Sequence, residues 1–438
     1  MNPKRLVLLL AAAGLAFSAH GADLLGVYRD ALVSDPVYQS ARAQYAAGRE
    51  RLPQARAGYL PSISGSAAAF RNWLDRQNNL EDVNYDNQTY SVTLSQPLFR
   101  WQNWIAITQA EQQILQVEAT FAISKQDLIL RVSQAYFDVL LAQDNVALSE
   151  AQKTAISEQL AQAKRNFEVG TSTIVDTLEA QARYDQAVAK EIFDKNDLEV
   201  KKRALQQLVG KPADVLVPLK DPLPLAAPKP SNIEEWVTVA NDSSFPVAIS
   251  RAAVEIAKKE VDRTQAGHYP TLDLSASYTH NRNPNLTTGI GSLAQNTGSV
   301  GLVLGVPIYS GGATQSRVRE ALAGRDKAEQ DLEGTQRSVA QSVRQSYLNV
   351  TSGIALVKAL EQALASTQSQ VDSTILGRDV GVRTSVDVLN AQQQVFQARR
   401  DLQQARYAYL MNTLRLKSAA GTLAEPDLEL VSRALGRS

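Results

Sequence analysis

The chain states one pattern twice, about 210 residues apart. Ala57-Gly58-Tyr59-Leu60-Pro61-Ser62-Ile63 returns as Ala266-Gly267-His268-Tyr269-Pro270-Thr271-Leu272, and Gln96-Pro97-Leu98-Phe99 as Val306-Pro307-Ile308-Tyr309. Gln134-Ala135-Tyr136-Phe137 returns as Gln345-Ser346-Tyr347-Leu348, and Val169-Gly170 with Asp176 as Val380-Gly381 with Asp387. Matched landmarks drift by only a residue or two, so two equivalent halves of nearly equal length are expected. Two copies of one shape can form a pseudo-symmetric wall.

Each half carries the same order of elements. Helical patterns cover about Leu24–Val33 and Pro36–Tyr59, and Pro61 ends the second because proline removes a donor and restricts the residue before it. Alternating segments at Ser62–Phe70 and Gln88–Gln96 read as a hairpin around a polar Asn/Asp loop. A long helix follows over Trp101–Glu168, is broken at Gly170, and resumes over Ile174–Val209. The second half repeats this with helices near Ile233–Ala240 and Pro246–His268, strands near Thr271–Thr279 and Gly298–Val306, and helices over Ala313–Asp379 and Ser385–Ala420. The expected divisions are an export signal at 1–21, a first repeat at 22–211, a Pro-rich linker at 212–231, a second repeat at 232–421 and a C-terminal tail at 422–438.

Composition excludes several functions. Lys+Arg and Asp+Glu both number 45, so no basic field invites nucleic acid. Cysteine is absent, which removes disulfides, thiolate metal sites and a thiol nucleophile. Lys4 and Arg5 precede an apolar run from Leu6 to Phe17, and Ala19-His20-Gly21 offers small residues for cleavage, as in a secretory signal. That run is shorter than the roughly 20 residues a spanning helix needs. A mature chain that crosses a membrane must then do so as β-strands.

The strands have the pattern for it. Tyr90, Val92 and Leu94 alternate with Thr89, Ser91, Thr93 and Ser95, and Leu272, Leu274, Ala276 and Tyr278 with Asp273, Ser275, Ser277 and Thr279. Period-two alternation gives one apolar and one polar face. Alternation alone would favour the half-buried strand of a soluble domain. A strand length near the roughly 9–11 residues of a tilted membrane strand favours a membrane barrel, as do the aromatics Phe70, Trp73, Tyr90, Tyr278, Phe99, Trp101, Trp104 and Tyr309 near the strand ends. Four strands cannot close a barrel, and lipid tolerates no open edge, so several chains must contribute equally.

The long helices, at 1.5 Å per residue, reach roughly 100 Å. Ile114, Phe121, Leu128, Ala135 and Ala142 recur every seven residues, interleaved with Val132, Val139 and Val146, which marks a coiled-coil seam. A soluble periplasmic coiled-coil adaptor or structural rod would explain the seam and the export, but not the four alternating strands.

No catalytic cluster is visible. The histidines are His20, His268 and His280, and no phosphate loop, dinucleotide fingerprint or nucleophile elbow occurs. Neither enzyme activity nor a cofactor or metal is expected. The informative local feature is the turn after each long helix. Gly170 and Gly381 suit a left-handed helix stop. Thr173 with Asp176, and Thr384 with Asp387, resemble capping boxes. Asp387 and Asn390 share a helix face, so in a tube of several chains Asp387 becomes a ring of carboxylates.

Val380-Gly381-Val382-Arg383-Thr384-Ser385-Val386-Asp387-Val388-Leu389 resembles the tunnel-entrance segment of the TolC family of outer-membrane efflux channels. Leu302–Gly312, Pro270–Leu274 and Leu423–Leu428 support the resemblance, which covers essentially the whole mature length. It implies a mainly α fold with a transmembrane β-barrel: a homotrimer with a twelve-stranded barrel in outer-membrane lipid, four strands per chain, continued by a long periplasmic α-helical barrel. It implies a passive exit duct for drugs or secreted polypeptides, recruited by a periplasmic membrane-fusion adaptor and an inner-membrane pump of ABC, RND or MFS type. By similarity Asp387 matches the first of two acidic entrance rings, with Asn390 standing where the second Asp would be. Arg383 matches the arginine of a gate latch and Asp176 its acidic partner. Arg378 replaces a Tyr of the family, and an Arg378–Asp176 ion pair is the expected substitute.

Overall fold

The computed structural model describes residues 23–75, 83–212, 216–284 and 292–436. The expected export signal, the two hairpin tips and residues 213–215 of the linker lie outside the described residues. Among the described residues there are four strands and ten α-helices, and apart from one split helix and one added C-terminal helix they follow the order expected from the repeat. Two compact units result. One gathers Ala41–Ala122 with Phe245–Ser338, the other Ile123–Ser244, Val339–Ser438 and the residues up to Ser40. Both halves of the sequence therefore feed both units.

In the first unit, β1 (Ser62–Leu74), β2 (Val83–Phe99), β3 (Thr271–Pro284) and β4 (Ser292–Gly305) form one antiparallel sheet in sequence order. Opposed residues share a face, so the register decides what each face carries. One set of rows reads Ser62–Ser95–Ser275–Gly301, Ser64–Thr93–Ser277–Ser299 and Ser66–Ser91–Thr279–Thr297. The alternate rows read Ile63–Leu94–Ala276–Val300 and Gly65–Val92–Tyr278–Gly298. One face is thus a field of hydroxyls and the other is apolar. Hydroxyl pairs bridge neighbouring strands, with Ser66 Oγ 2.8 Å from Ser91 Oγ and Ser277 Oγ 2.9 Å from Ser299 Oγ. Val300 and Leu302 are 79% and 64% exposed, so among the described residues nothing covers the apolar face there. The outer edges of β1 and β4 find no partner strand among the described residues.

Two strand expectations change. The strands run 13, 17, 14 and 14 residues, longer than the alternating segments. Past Ala69 and Thr279 the ladder continues through Asn, Asp and Arg residues, whose backbones pair as well as any. Phe70, expected in an aromatic girdle, shares the parity of the hydroxyl rows, whereas Trp73 lies on the apolar face. A bulge between Pro97 and Phe99 then places Phe99 opposite Leu272 on the apolar face, the re-aiming that an extra residue permits.

Helices of this unit are most of α2 (Pro36–Arg49), α3 (Arg51–Ala57), the start of α4 (Trp101–Glu168), α7 (Phe245–Gln265) and the start of α8 (Ala313–Asp379). The single helix expected over Pro36–Tyr59 breaks at Glu50, because Pro53 cannot donate to the preceding turn. Amides join α4 to α7: Gln109 Nε2 donates to Glu260 Oε2 at 3.0 Å and Gln116 Nε2 to the Ile249 carbonyl at 3.2 Å.

The second unit holds the main apolar core. It packs α1 (Leu24–Ser34), the remainder of α4 and α8, α5 (Ile174–Val209), α6 (Ile233–Ser243), α9 (Ser385–Ala419) and α10 (Glu425–Ala434). Leu128, Val132 and Val139 of the expected seam are fully buried with Tyr136, Val350, Leu414 and Leu428. The Pro-rich segment is part of this core rather than a free spacer. Leu216 and Leu223 are buried in it, and two tyrosines fasten its backbone. Tyr136 Oη donates to the Val217 carbonyl at 3.1 Å and accepts from its N–H at 3.0 Å. Tyr409 Oη does the same at Ala226, both at 2.9 Å. The tail, for which no helix was expected, forms α10, and Leu435 bridges Leu219 of the linker. Buried Arg406 donates to linker Asp221 at 3.2 Å and to Glu361 of α8 at 3.0 Å.

Removing the Tyr409 hydroxyl strands a part-buried N–H and carbonyl, which costs about 1–3 kcal/mol. Tyr409→Phe, which keeps the ring in the core, should lower the unfolding midpoint of the detergent-solubilised protein. An unchanged midpoint would mean that water replaces the hydroxyl at no cost.

Candidate functional site

The two helix turns at the ends of α4 and α8 are built alike. Gly170 has φ +75° and Gly381 has φ +82°, the left-handed conformation that glycine adopts without strain. After α4, Gly170 N–H donates to the Phe167 carbonyl at 3.0 Å and Thr171 N–H to Asn166 at 2.8 Å. After α8, Gly381 N–H donates to Arg378 and Val382 N–H to Gly377, both at 2.9 Å. These bonds satisfy carbonyls that a helix end leaves open. Val380 and Val382 stand 66% and 75% exposed on the second turn.

Both expected capping boxes form. Thr173 N–H donates to Asp176 Oδ2 at 3.0 Å and Asp176 N–H returns to Thr173 Oγ1 at 3.3 Å. Thr384 and Asp387 repeat this at 2.9 and 3.1 Å. Asp176 also accepts from Ser172 Oγ at 2.8 Å. The Thr384 N–H, then its hydroxyl, and to a smaller degree the Arg383 charge, hold the Asp387 carboxyl below its usual range. The Thr173 N–H leads the same effect at Asp176. Asp387 is thus a capping residue, and an ionised one.

The remaining expected site residues fall into different contacts. Arg378 donates to its neighbour Asp379 through Nε at 3.0 Å and Nη2 at 2.7 Å, so within one chain it is Asp379, not Asp176, that takes its charge. The Arg383 backbone N–H donates to the Gly377 carbonyl at 3.1 Å, and its side-chain stem lies against Gly377, where an added Cβ would meet Arg383 Cγ at 2.8 Å. Asn390 does not stand with Asp387 alone. Its Oδ1 accepts from Arg183 Nη2 at 3.1 Å, and Gln393 Oε1 accepts from Arg183 Nη1 at 3.2 Å.

That arginine was not anticipated from sequence. A signal was available: α5 and α9 start at equivalent caps, and Arg183 lies 10 residues past Thr173 while Gln393 lies 9 past Thr384. Apolar packing here is thin. Ile156, Ala187 and Leu389 form one small cluster and Leu160, Ala163 and Ala180 another, so hydrogen bonds such as Gln159 Nε2 to Gln392 Oε1 at 2.6 Å carry much of the contact. Among the described residues no group of acidic or histidine side chains could hold a metal ion.

Among the described residues, a two-faced sheet with unpaired edges, long helices leaving its hairpins and glycine turns with capped acids fit the class of outer-membrane channels. A family model described as "Outer membrane efflux protein" matches residues 27–211 and again 236–422, and the chain belongs to that family. The outer membrane protein TolC of Vibrio cholerae is 34% identical over 427 residues, covering 97% of each chain. The alkaline protease secretion protein AprF of Pseudomonas aeruginosa is 34% identical over 443 residues, covering 99% of this chain and 92% of its own. The fold agrees with the solved structure of CusC (TM-score 0.77, 16% identity, 92% of each chain). It agrees also with VceC of Vibrio cholerae (TM-score 0.74, 19% identity, 91% of this chain and 96% of that one). The protein is an outer-membrane exit duct that extends into the periplasm.

The cap makes Asp387 pH-sensitive in a defined direction. Its pKa in the folded chain lies below the unfolded value of 3.8. Its contribution is therefore complete above that value and is lost as pH falls below it, through the folded pKa. Amide-exchange protection at the start of α9, corrected for intrinsic rates, should hold at pH 5 and decline in stronger acid, whereas Asp387→Asn should abolish that dependence. A parent profile flat into strong acid would remove the carboxylate from the cap.

Proposed function

We propose that three copies of this chain pool their staves into one sealed cylinder, four strands from each giving twelve, with the apolar rows facing outer-membrane lipid and the hydroxyl rows lining a water-filled lumen. The observation that carries this is the register itself. A sheet with one hydroxyl face, one apolar face and two open edges is stable in lipid only when closed on other copies. The long helices then wall a periplasmic tunnel, and the turns at Gly170 and Gly381 form its mouth.

Cargo passes without energy from this chain. An inner-membrane pump of ABC, RND or MFS type, joined by a periplasmic membrane-fusion adaptor, supplies the drive. Relatives named for secretion of alkaline protease and of proteases in Dickeya chrysanthemi support polypeptide export by a type I route. The efflux family supports small toxic solutes. A lumen of hydroxyls suits both, since it offers hydrogen bonds without binding any one cargo tightly.

At the mouth, Asp387 supplies one acidic ring per assembly and Asn390, neutral and engaged by Arg183, does not supply a second. Arg383, Arg378 and Asp176 form the latch. Since Arg378 already has Asp379 beside it, an Arg378–Asp176 bond exchanges one wet ion pair for another, a difference of about 0–1 kcal/mol. A latch of that strength holds until an adaptor engages and then yields.

In planar bilayers, Asp387→Ala should reduce cation preference and weaken block by multivalent cations; unaltered selectivity would take Asp387 out of the pore. Separately, Arg383→Ser should raise single-channel conductance by loosening the closed turn, and an unchanged conductance would leave Arg383 as a solvated charge near a helix end.

A further inference from the structure

Within the second unit, α4, α5 and α9 line a partly open cavity of about 240 Å³ beside the Arg183 contact. That is well above the roughly 10–15 Å³ a single water requires. Three cations line it, Arg183 and Lys190 from α5 and Arg400 from α9, and the rest of the lining is amide and apolar with no carboxylate.

Compensating acids stand behind the walls and are too few. Asp194, buried on α5, accepts from Lys190 Nζ at 2.5 Å through Oδ1. Its Oδ2 lies 3.7 Å from Arg400 Nη2, an ion-pair distance without a hydrogen bond, so one carboxylate serves two cations. Glu179 is 3.9 Å from Arg183, at the limit of an ion pair. Arg183 meanwhile directs both Nη groups to the neutral oxygens of Asn390 and Gln393. Arg400 Nε is buried, and among the described residues no acceptor reaches it. Positive charge in excess, a donor without an acceptor and room for an ion coincide in one place.

We propose that this cavity binds a small multivalent oxyanion of phosphate size and charge, gripped from α5 by Arg183 and Lys190 and from α9 by Arg400. A guanidinium fork matches the oxygen spacing of such an ion, and a lysine adds a mobile point charge. Because α5 and α9 both begin at the capped turns, the bound ion braces the two helices that carry Asp176 and Asp387. The site uses none of the pore-facing carboxylates and stands or falls independently of the duct reading.

Isothermal titration of the detergent-solubilised full chain with inorganic phosphate, at ionic strength fixed with chloride, should show saturable binding. Arg400→Lys keeps the charge beside Asp194 but removes the fork, and should weaken binding roughly tenfold. Lys190→Gln should do likewise, while Lys327→Gln, on an exposed part of α8, should bind like the parent. Phosphate should also slow amide exchange at the starts of α5 and α9 in the parent and not in Arg400→Lys. Absence of saturable binding overturns the proposal. Equal binding by the parent and both cavity variants means an adventitious ion only and overturns it as well.

Discussion

In hydrocarbon, an unpaired backbone N–H or carbonyl has no water to turn to, and each such group costs several kcal/mol. Two strand edges per chain, β1 and β4, face that penalty. Everything else in the unit that holds the sheet is consistent with relieving it through other copies. The apolar rows through Leu94 and Ala276 need lipid, the hydroxyl rows through Thr93 and Ser277 need water, and only a closed cylinder gives each its medium. Sheet register is therefore the functional feature: a slip of one residue would exchange the two faces along the whole strand.

The helical part obeys a different economy. A thick core forms only where the linker and tail fill in between helices, around Tyr136, Leu414 and Leu428. Near the turns the clusters shrink to a few small residues such as Ile156, Ala187 and Leu389. Few buried apolar contacts and many polar ones are the marks of a region that opens at low free energy. If the turns form the proposed mouth, the distribution of apolar side chains gives the duct a firm collar and an entrance that can move.

Charge at the start of α9 is arranged with similar restraint. Asp387 serves two purposes, since the bonds that start α9 also keep its carboxylate ionised. Asn390 is neutral and is held by a guanidinium from another helix, so this stretch of α9 carries one acid with a cation close by. In the proposed assembly, passage of cations is then governed by a weaker field than two acidic rings would create.

Much of this was written in the chain itself. Repetition at about 210 residues and proline and glycine stops predicted the element order, with α4 and α5 matching their expected limits to the residue. Alternation around Val92 and Leu274 predicted a two-faced sheet, and Thr384 with Asp387 a capping box, because these depend on periodicity and on neighbours within one turn. Tertiary structure alone decided what depends on pairing between distant segments. The parity that turns Phe70 to the hydroxyl face, the bulge that aims Phe99, the absorption of the linker by Tyr136 and Tyr409, and the reach of Arg183 to Asn390 all require two elements to meet at one register. Local sequence carries no energy term for that meeting; packing supplies it.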